Sequence, residues 1–522
     1  MTGTTNRSRS NPLLTLQLFV LLIQVSIPLL YLRPSSSWSS IGVEIGQMPP
    51  QPQQLRNRPH PPPADESEVA GYFNGVPVTY VAASSSSPPL HSTAHCIGET
   101  FAEKSWVHRS CEYRNLCFDL EEMDFVLFRS PDEADLSEAL KAHDMARGGL
   151  LTVSSALGTT VSLGGINDKW TWKEGAGGED AGAPALEWAP RIVDKELNEA
   201  YYMLPESAVL LPFHSMAAIN VGHLIWDDFL PMYTLLSTFN LIDDRHHAMP
   251  LRYVLKNRDR ALWATCNLRD KTLAECKGFF KKFLPLMGVE PSTMRSTEDS
   301  VLNTTTAGGG LRSRYVCGAK AAAGIGMLTD HGLKPGHGWD KRDYDLSHNA
   351  GRGPVLNEFR NWMARNLGLD PTETVRRGPP YRIIFAVQSS KDRDRRVDFS
   401  PQIKALEQAF GSTVTIESIN FADKPVLEQV RLAMESSVIV GVCGGGAVTN
   451  MFMSQGSGMV LYYSDRPSGK QHDFPARLDF DYFNNAGYAR VHWMPISSMQ
   501  KQTDIDVFVK LIKNEIETIS HH

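Results

Sequence analysis

Three short segments of this chain hold residue types that can do chemistry together. The first is Asn220 to Tyr233, NVGHLIWDDFLPMY. Asn220 suits the cap of a helix whose first turn then carries His223. His223 and Asp227 are four residues apart, so on an α-helix they share a face, and Asp228 lies about 100° further round. A carboxylate beside an imidazole can orient it, or can itself take a proton from a substrate hydroxyl. The plainer reading is a capped helix whose acids answer the helix dipole. The second segment is Ser389 to Arg396, SSKDRDRR, where Lys391, Arg393, Arg395 and Arg396 outnumber Asp392 and Asp394. An arginine there can clamp a diphosphate through two parallel hydrogen bonds; a solvated turn is the alternative. The third is Val440 to Asn450, VGVCGGGAVTN. Gly444, Gly445 and Gly446 let the backbone approach a ligand, and the helix start behind them offers free amides to an anion. Thr449 and Asn450 lie one turn into that helix. Cys443 reads as a small buried residue rather than a nucleophile, since no paired histidine is evident nearby.

Those segments need a scaffold. Arg382 to Gln388 is a short apolar strand, Pro401 to Phe410 has helical spacing, and Thr413 to Ile419 is β-branched. Pro425 to Glu435 is helical again, Ser437 to Val442 is a continuous apolar run, and Met459 to Tyr463 is a further strand. Strands alternating with helices imply a parallel sheet, and a run apolar on both faces is what such a sheet buries. Ligands bind at the carboxyl ends of its strands. The arginine loop and the triple glycine both stand at such ends, so one crevice can use both. A dinucleotide site is the competing reading. Its glycines follow the first strand and are spaced G-x-G-x-x-G, whereas here they are adjacent and follow a later strand; Asp465 alone favours it. Upstream, Ala208 to Phe213 and Leu251 to Leu255 read as strands, and Gly222 to Phe239 and Thr272 to Met287 as helices. Asn167 to Pro190 and Gly308 to Gly353 read as long loops.

A chain of 522 residues is long enough for two or three domains. Its formal net charge of −6 argues against a nucleic-acid binder, so any anion recognition is local. Leu13 to Leu32 is an uncharged, mostly apolar run of spanning length, with Arg7 and Arg9 before it. The positive-inside rule keeps the N-terminus cytosolic and sends the rest across the membrane. A cleaved signal peptide is the alternative, and on either reading the body enters the secretory pathway. Pro34 to Ser92 is rich in Pro, Ser and Gln, as an extended stem would be. With seven cysteines, at least one stays unpaired in a monomer. One disulfide is expected among Cys96, Cys111 and Cys117, with Cys266 and Cys276 a second candidate pair. Zinc is disfavoured, because there is no Cys-x-x-Cys and His91 with His95 sits at the edge of the stem. Asn303-Thr304-Thr305 is a glycosylation sequon in what reads as a polar loop. Asp-x-Asp triplets occur at Asp392/Asp394, Asp479/Asp481 and Asp504/Asp506, a pattern that arises often by chance.

These residues resemble glycosyltransferase family 61. The order Ser389 to Arg396, Glu428-Gln429, Val438 to Val442, Gly444 to Gly446, Thr449-Asn450 and Gly456-Ser457 is similar to the family's. Gly222-His223 to Asp227-Asp228 followed by Leu230-Pro231, and Trp106 through Cys111 to Cys117, also resemble it. The family's turn reads His-Gly-Ala-Gly ahead of Leu-Thr-Asn; this chain has Cys443 near the histidine position and one extra residue. The resemblance implies an α/β, GT-B-like architecture of two Rossmann-like domains facing a cleft. The implied order is a cytosolic tail over 1–12, an anchor over 13–32, a stem over 33–92, an acceptor-side domain over 93–377 and a donor-binding domain over 378–522 with a closing C-terminal helix. It implies an inverting glycosyltransferase using a UDP-sugar (xylose, N-acetylglucosamine or arabinose) on a glycan or glycoprotein acceptor. Asp227 is the expected base, ahead of His223 and Asp228. Arg393, Arg395, Arg396, Glu428, Gly444, Gly445, Gly446, Thr449 and Asn450 are the expected donor contacts, with no obligatory metal or cofactor. The expected location is the Golgi membrane, single-pass and type II, with the endoplasmic reticulum as second choice. A non-catalytic luminal protein that binds glycans or nucleotide sugars on the same fold is the alternative.

Overall fold

The computed structural model describes residues 69–83, 89–97, 110–128, 191–193, 195–213, 221–243, 246–252, 273–296, 299–304, 313–324, 353–387, 397–465 and 477–521. The expected anchor Leu13 to Leu32, Cys266, the loop Asn167 to Pro190 and the arginines Arg393, Arg395 and Arg396 lie outside those residues. The chain divides into two compact units, Met1–His60 and Pro61–His522, and every described residue belongs to the second. Among the described residues no helix is long and apolar enough to cross a membrane.

In chain order the strands are β1 (Val69–Phe73), β2 (Val76–Val81), β3 (Thr93–Ile97), β4 (Ser110–Arg114), β5 (Leu116–Asp119), β6 (Asp124–Phe128) and β7 (Arg191–Val193). Next come β8 (Tyr201–Met203), β9 (Ala208–Phe213), β10 (His247–Arg252), β11 (Arg295–Ser296), β12 (Leu302–Thr304), β13 (Tyr315–Gly318) and β14 (Lys320–Gly324). The last five are β15 (Tyr381–Ala386), β16 (Val414–Ile419), β17 (Val438–Val442), β18 (Gly458–Tyr463) and β19 (Arg490–Pro495). The helices are α1 (residues 221–238), α2 (Leu273–Phe283), α3 (Gly353–Asn366), α4 (Ser400–Phe410), α5 (Val426–Met434), α6 (Arg477–Ala486) and α7 (Gln502–His521). A 3₁₀ helix, Gly445–Phe452, follows the glycine turn.

β1 and β2 correct the expectation of a stem running to residue 92. They form a hairpin over Asn74 and Gly75, whose φ angles are 50° and 86°, as a two-residue turn between twisted strands requires. The Asn-Gly pair between apolar runs carried that signal, and the surrounding Pro and Ser content obscured it. β1 and β2 belong to an eight-stranded sheet ordered β12-β1-β2-β8-β13-β5-β6-β7, mostly antiparallel. Asn303 sits in its edge strand β12, exposed, opposite Tyr72, so the sequon lies on a sheet edge rather than in a loop. The six-stranded sheet β11-β10-β9-β14-β4-β3 is parallel from β11 to β14 and antiparallel beyond. Its parallel part holds the two expected strands, β9 and β10, but β14, like β13 of the eight-stranded sheet, falls in Gly308 to Gly353, where the sequence pointed to a long loop. β10 begins at His247, earlier than the expected Leu251, because its ladder pairs His247 with Ala208 at the start of β9.

Cys117 pairs outside the three cysteines among which one disulfide was expected. It bonds Cys317 across the β5–β13 ladder, 200 residues away. Cys111 is disulfide-bonded as well, and Cys96 faces it in the β3–β4 ladder.

The five-stranded sheet is parallel throughout, ordered β16-β15-β17-β18-β19. Every residue of β17 is buried. Each element expected between Arg382 and Tyr463 is present within one or two residues, except that 3₁₀ winding replaces an α-helix after the glycines. The largest apolar cluster runs through both halves of the unit. It joins Leu224, Trp226 and Phe229 of α1 to Val448, Met451 and Phe452 behind the glycine turn and to Tyr482 and Phe483 of α6.

Candidate functional site

Numbered from its own first strand, the parallel sheet has the order 2-1-3-4-5. In such a sheet the chain leaves in opposite directions from strands 1 and 3, and the crevice at their carboxyl ends is where a ligand binds. Those strands are β15 and β17. The arginine loop follows Ala386, and the glycine turn follows Val442. The two strand ends are close: a Cβ placed on Gly441 would stand 3.3 Å from the Cβ of Ala386.

The glycine turn has one conformationally obligatory member. Gly444 has φ 118° and ψ −171°, a region essentially closed to side chains. Gly445 and Gly446 lie within the 3₁₀ helix and are half-buried. Gly444 turns the chain, and the two behind it open the 3₁₀ helix. Cys443, just before them, is buried and is not disulfide-bonded.

Two of the expected donor contacts, Glu428 and Thr449, have side-chain partners. Glu428 stands in the first turn of α5, half exposed, in an ion pair with Lys424 at 2.8 Å. Thr449 is 9% exposed, and its hydroxyl donates to Oε1 of Gln429 at 3.5 Å. Gln429 in turn donates to the carbonyl of Lys424 at 2.9 Å. Thr449 and Gln429 therefore tie the 3₁₀ helix to α5 and fix the turn from behind. Asn450 is fully buried, and neither its Oδ1 nor its Nδ2 has a hydrogen-bond partner among the described residues, an uncommon and costly state for a buried amide. Asp465, which favoured a dinucleotide site, accepts from the backbone N–H of Ser497 at 3.0 Å and from its hydroxyl.

The far end of the 3₁₀ helix is held by a side chain that sequence reasoning missed. Arg360 of α3 is buried and donates to the carbonyls of Pro371 at 2.8 Å and Phe452 at 3.2 Å. Its guanidinium lies 5.5 Å from the ring centroid of Tyr488, whose hydroxyl donates to the carbonyl of Met451. Burial pulls the guanidinium pKa down, with Tyr488 partly offsetting it. A cation at the C-terminal carbonyls complements the helix dipole, so the end of the helix away from the glycines is pinned. Contact with the carbonyl of Phe452, 92 residues away, is what marks Arg360, and a lone arginine in an amphipathic helix gives no such sign in sequence.

α1 crosses to this helix from the other half. It is α-helical over Val221–His223, π-helical over Leu224–Phe229 and α-helical again over Leu230–Thr238. The cause is readable. Pro231 has no N–H for the carbonyl of residue 227, and its ring would press on that carbonyl in an α-helix. Widening the preceding turn by one residue relieves the clash, and π turns of this kind recur at functional sites. The backbone over Leu224–Phe229 therefore winds i→i+5, which interrupts the regular helix expected over Gly222 to Phe239. Among the described residues, no group of three or more His, Cys, Asp or Glu side chains comes together to hold a metal ion.

Residues 340–460 match the family model described as Glycosyltransferase 61. The matched segment runs from the stretch before α3 into β18 and holds β15, β17, the glycine turn and the 3₁₀ helix; α1 lies outside it. Among solved structures, the chain is similar to Escherichia coli heptosyltransferase WaaC with ADP, at 12% identity and a TM-score of 0.26, over 59% of this chain and 99% of that one. Comparison with curated proteins gives no match.

Proposed function

From the match of residues 340–460 to the Glycosyltransferase 61 model we propose that the chain is a member of that family and an inverting transferase using a UDP-sugar in the secretory pathway. The carrying observation is the glycine turn at the carboxyl end of β17, beside the end of β15, in a parallel sheet of order 2-1-3-4-5. Backbone amides at a helix start suit the diphosphate of such a donor. Arg393, Arg395 or Arg396, which follow β15, supply the positive charge that neutralises the leaving group.

In the proposed reaction Asp227 takes the proton of the acceptor hydroxyl, with His223 and Asp228 the next candidates. The acceptor oxygen forms its bond to the anomeric carbon from one face. The bond from that carbon to the diphosphate oxygen breaks on the other, and the electron pair leaves with UDP. One displacement inverts the configuration. Thr449 and Glu428 act behind the turn in this scheme, through Gln429 and Lys424, and Asn450 lines the buried side of the same helix. No metal is required in it, because side chains and amides meet the charge. Two domains in a GT-B arrangement, an uncleaved anchor over Leu13 to Leu32 and Golgi residence complete the proposal. The Cys117–Cys317 bond supports an oxidising compartment, and the exposed sequon at Asn303 is consistent with one. The donor is proposed to be UDP-xylose, UDP-N-acetylglucosamine or UDP-arabinose, and the acceptor a glycan or glycoprotein.

The test is a panel of nucleotide sugars with the purified full chain, with and without EDTA, read by thermal shift and by slow donor hydrolysis. One UDP-sugar should both stabilise the protein and be hydrolysed, with hydrolysis lost in Asp227→Asn. Absence of binding and turnover across the panel, with folded protein, refutes the donor site. Binding without turnover refutes the transferase and leaves a sugar-nucleotide binder.

A further inference from the structure

Trp226 lies inside the π turn, immediately before Asp227 and Asp228. Its ring stacks on Tyr482 of α6 with centroids 4.1 Å apart and planes 12° from parallel. Phe483 meets the same ring edge-on at 6.4 Å and 82°. All three side chains are buried. The indole Nε1 has no hydrogen-bond partner among the described residues, although a buried Trp N–H ordinarily finds one. The local packing thus keeps the stack and forgoes a hydrogen bond.

A helix broken by Pro231 has lost part of the regular bonding that fixes its rotation. Something outside the helix has to set the rotation of the widened turn. The Trp226 stack does so from α6, which lies between β18 and β19 of the donor-half sheet and packs beside the 3₁₀ helix in the same apolar cluster. We propose that Trp226 and Tyr482 are positioning residues for the transfer, the stack holding the backbone of Asp227 and Asp228 in register with the glycine turn. The proposal rests on the transferase reading above. It adds a coupling between the two halves that is independent of which of the two acids is the base.

The experiment uses the full chain with Trp226→Leu, Tyr482→Leu, the double variant, and the ring-keeping Trp226→Phe and Tyr482→Phe. Turnover of the UDP-sugar found for the wild type is measured together with amide hydrogen exchange over residues 221–229. Each leucine variant should lower kcat by about tenfold to a hundredfold, the range expected when a reacting group is displaced by about an ångström. Donor KM should stay within about threefold, because positioning of the base is not donor binding. The double variant should be no slower than the worse single, the phenylalanine variants should recover most of the rate, and Tyr482→Leu should speed exchange over 221–229. Folded leucine variants with wild-type kcat, a loss confined to KM, or unchanged exchange over 221–229 in Tyr482→Leu each overturn the coupling while leaving the transferase intact. A wild type that turns over no donor removes the transferase reading and the positioning role with it, so the two failures are told apart by the wild-type control.

Discussion

Gly444→Ala separates the conformational role of the glycine turn from its contact role. At φ 118° and ψ −171° the backbone of residue 444 is where an alanine pays on the order of 1–3 kcal/mol. The strain has two outlets. If the turn keeps its shape, the whole amount appears as lost stability. If the turn relaxes, the amides of Gly445 and Gly446 swing away and the amount appears in donor affinity, where about 2 kcal/mol is roughly thirtyfold in Kd. A mixture gives a smaller loss in each, with their sum near the same figure.

Gly445→Ala and Gly446→Ala are the controls. Both residues sit in the 3₁₀ helix, where alanine fits the backbone and reduces the entropy of the unfolded chain, a gain of about 0.4–1 kcal/mol. Both are half-buried, so a methyl there pushes against any ligand resting on the turn. The expected pattern is a lowered melting temperature with weaker binding for Gly444→Ala, and an unchanged or raised melting temperature with weaker binding for the other two. Thermal melts with and without the UDP-sugar, plus titration calorimetry, read both quantities. A Gly444→Ala protein that melts and binds like the wild type refutes the conformational argument. Normal donor binding by both controls refutes the placement of the diphosphate on these amides.

Glu515 of α7, 1% exposed, accepts from Arg490 Nε at 2.9 Å and contacts His492 Nε2 at 2.7 Å. Burial pushes its carboxyl pKa up, but the His492 hydrogen bond and the charge of Arg490 outweigh this and hold it below the ordinary carboxylate value. Its stabilisation is therefore present above the ordinary carboxylate range and lost as pH falls through the depressed value. Glu515→Gln should cost about 2 kcal/mol near neutral pH, less than for a fully enclosed pair because both partners reach water; denaturant melts should show the gap closing in acid, and a pH-independent gap refutes the account. Replacing Cys117 and Cys317 together by alanine should cost roughly 4 kcal/mol, since the bond closes a loop of about 200 residues, and equal stability of the two proteins in denaturant melts under non-reducing conditions refutes that figure. Arg360→Met should cost about 3 kcal/mol by stranding the buried carbonyls of Pro371 and Phe452. Arg360→Lys should recover only part of it in the same melts, and full recovery would mean that charge alone matters there.

The parallel sheet was legible because its elements are local and its signals agree. Apolar runs such as Val438 to Val442, helical spacing between them and glycines at a strand end all point to one arrangement, and the order 2-1-3-4-5 then places the crevice without further information. The β1–β2 hairpin was legible in principle through Asn74-Gly75 and was masked by the composition around it. The Cys117–Cys317 bond and the buried Arg360 were not legible, because both join residues whose partners lie far along the chain. α1 is the instructive case. Its helix was read correctly, yet the reading assumed regular winding throughout. Leu230-Pro231 already forbade that, since a proline at 231 takes away the donor for the carbonyl at 227. What the sequence could not supply was the manner of relief: a kink, a break or a widened turn each satisfies Pro231. The choice of a π turn goes with Trp226, which can lie flat on Tyr482 only in one rotation of the helix. The turn that carries the Asp227-Asp228 backbone is thus packed against a residue more than 250 positions downstream.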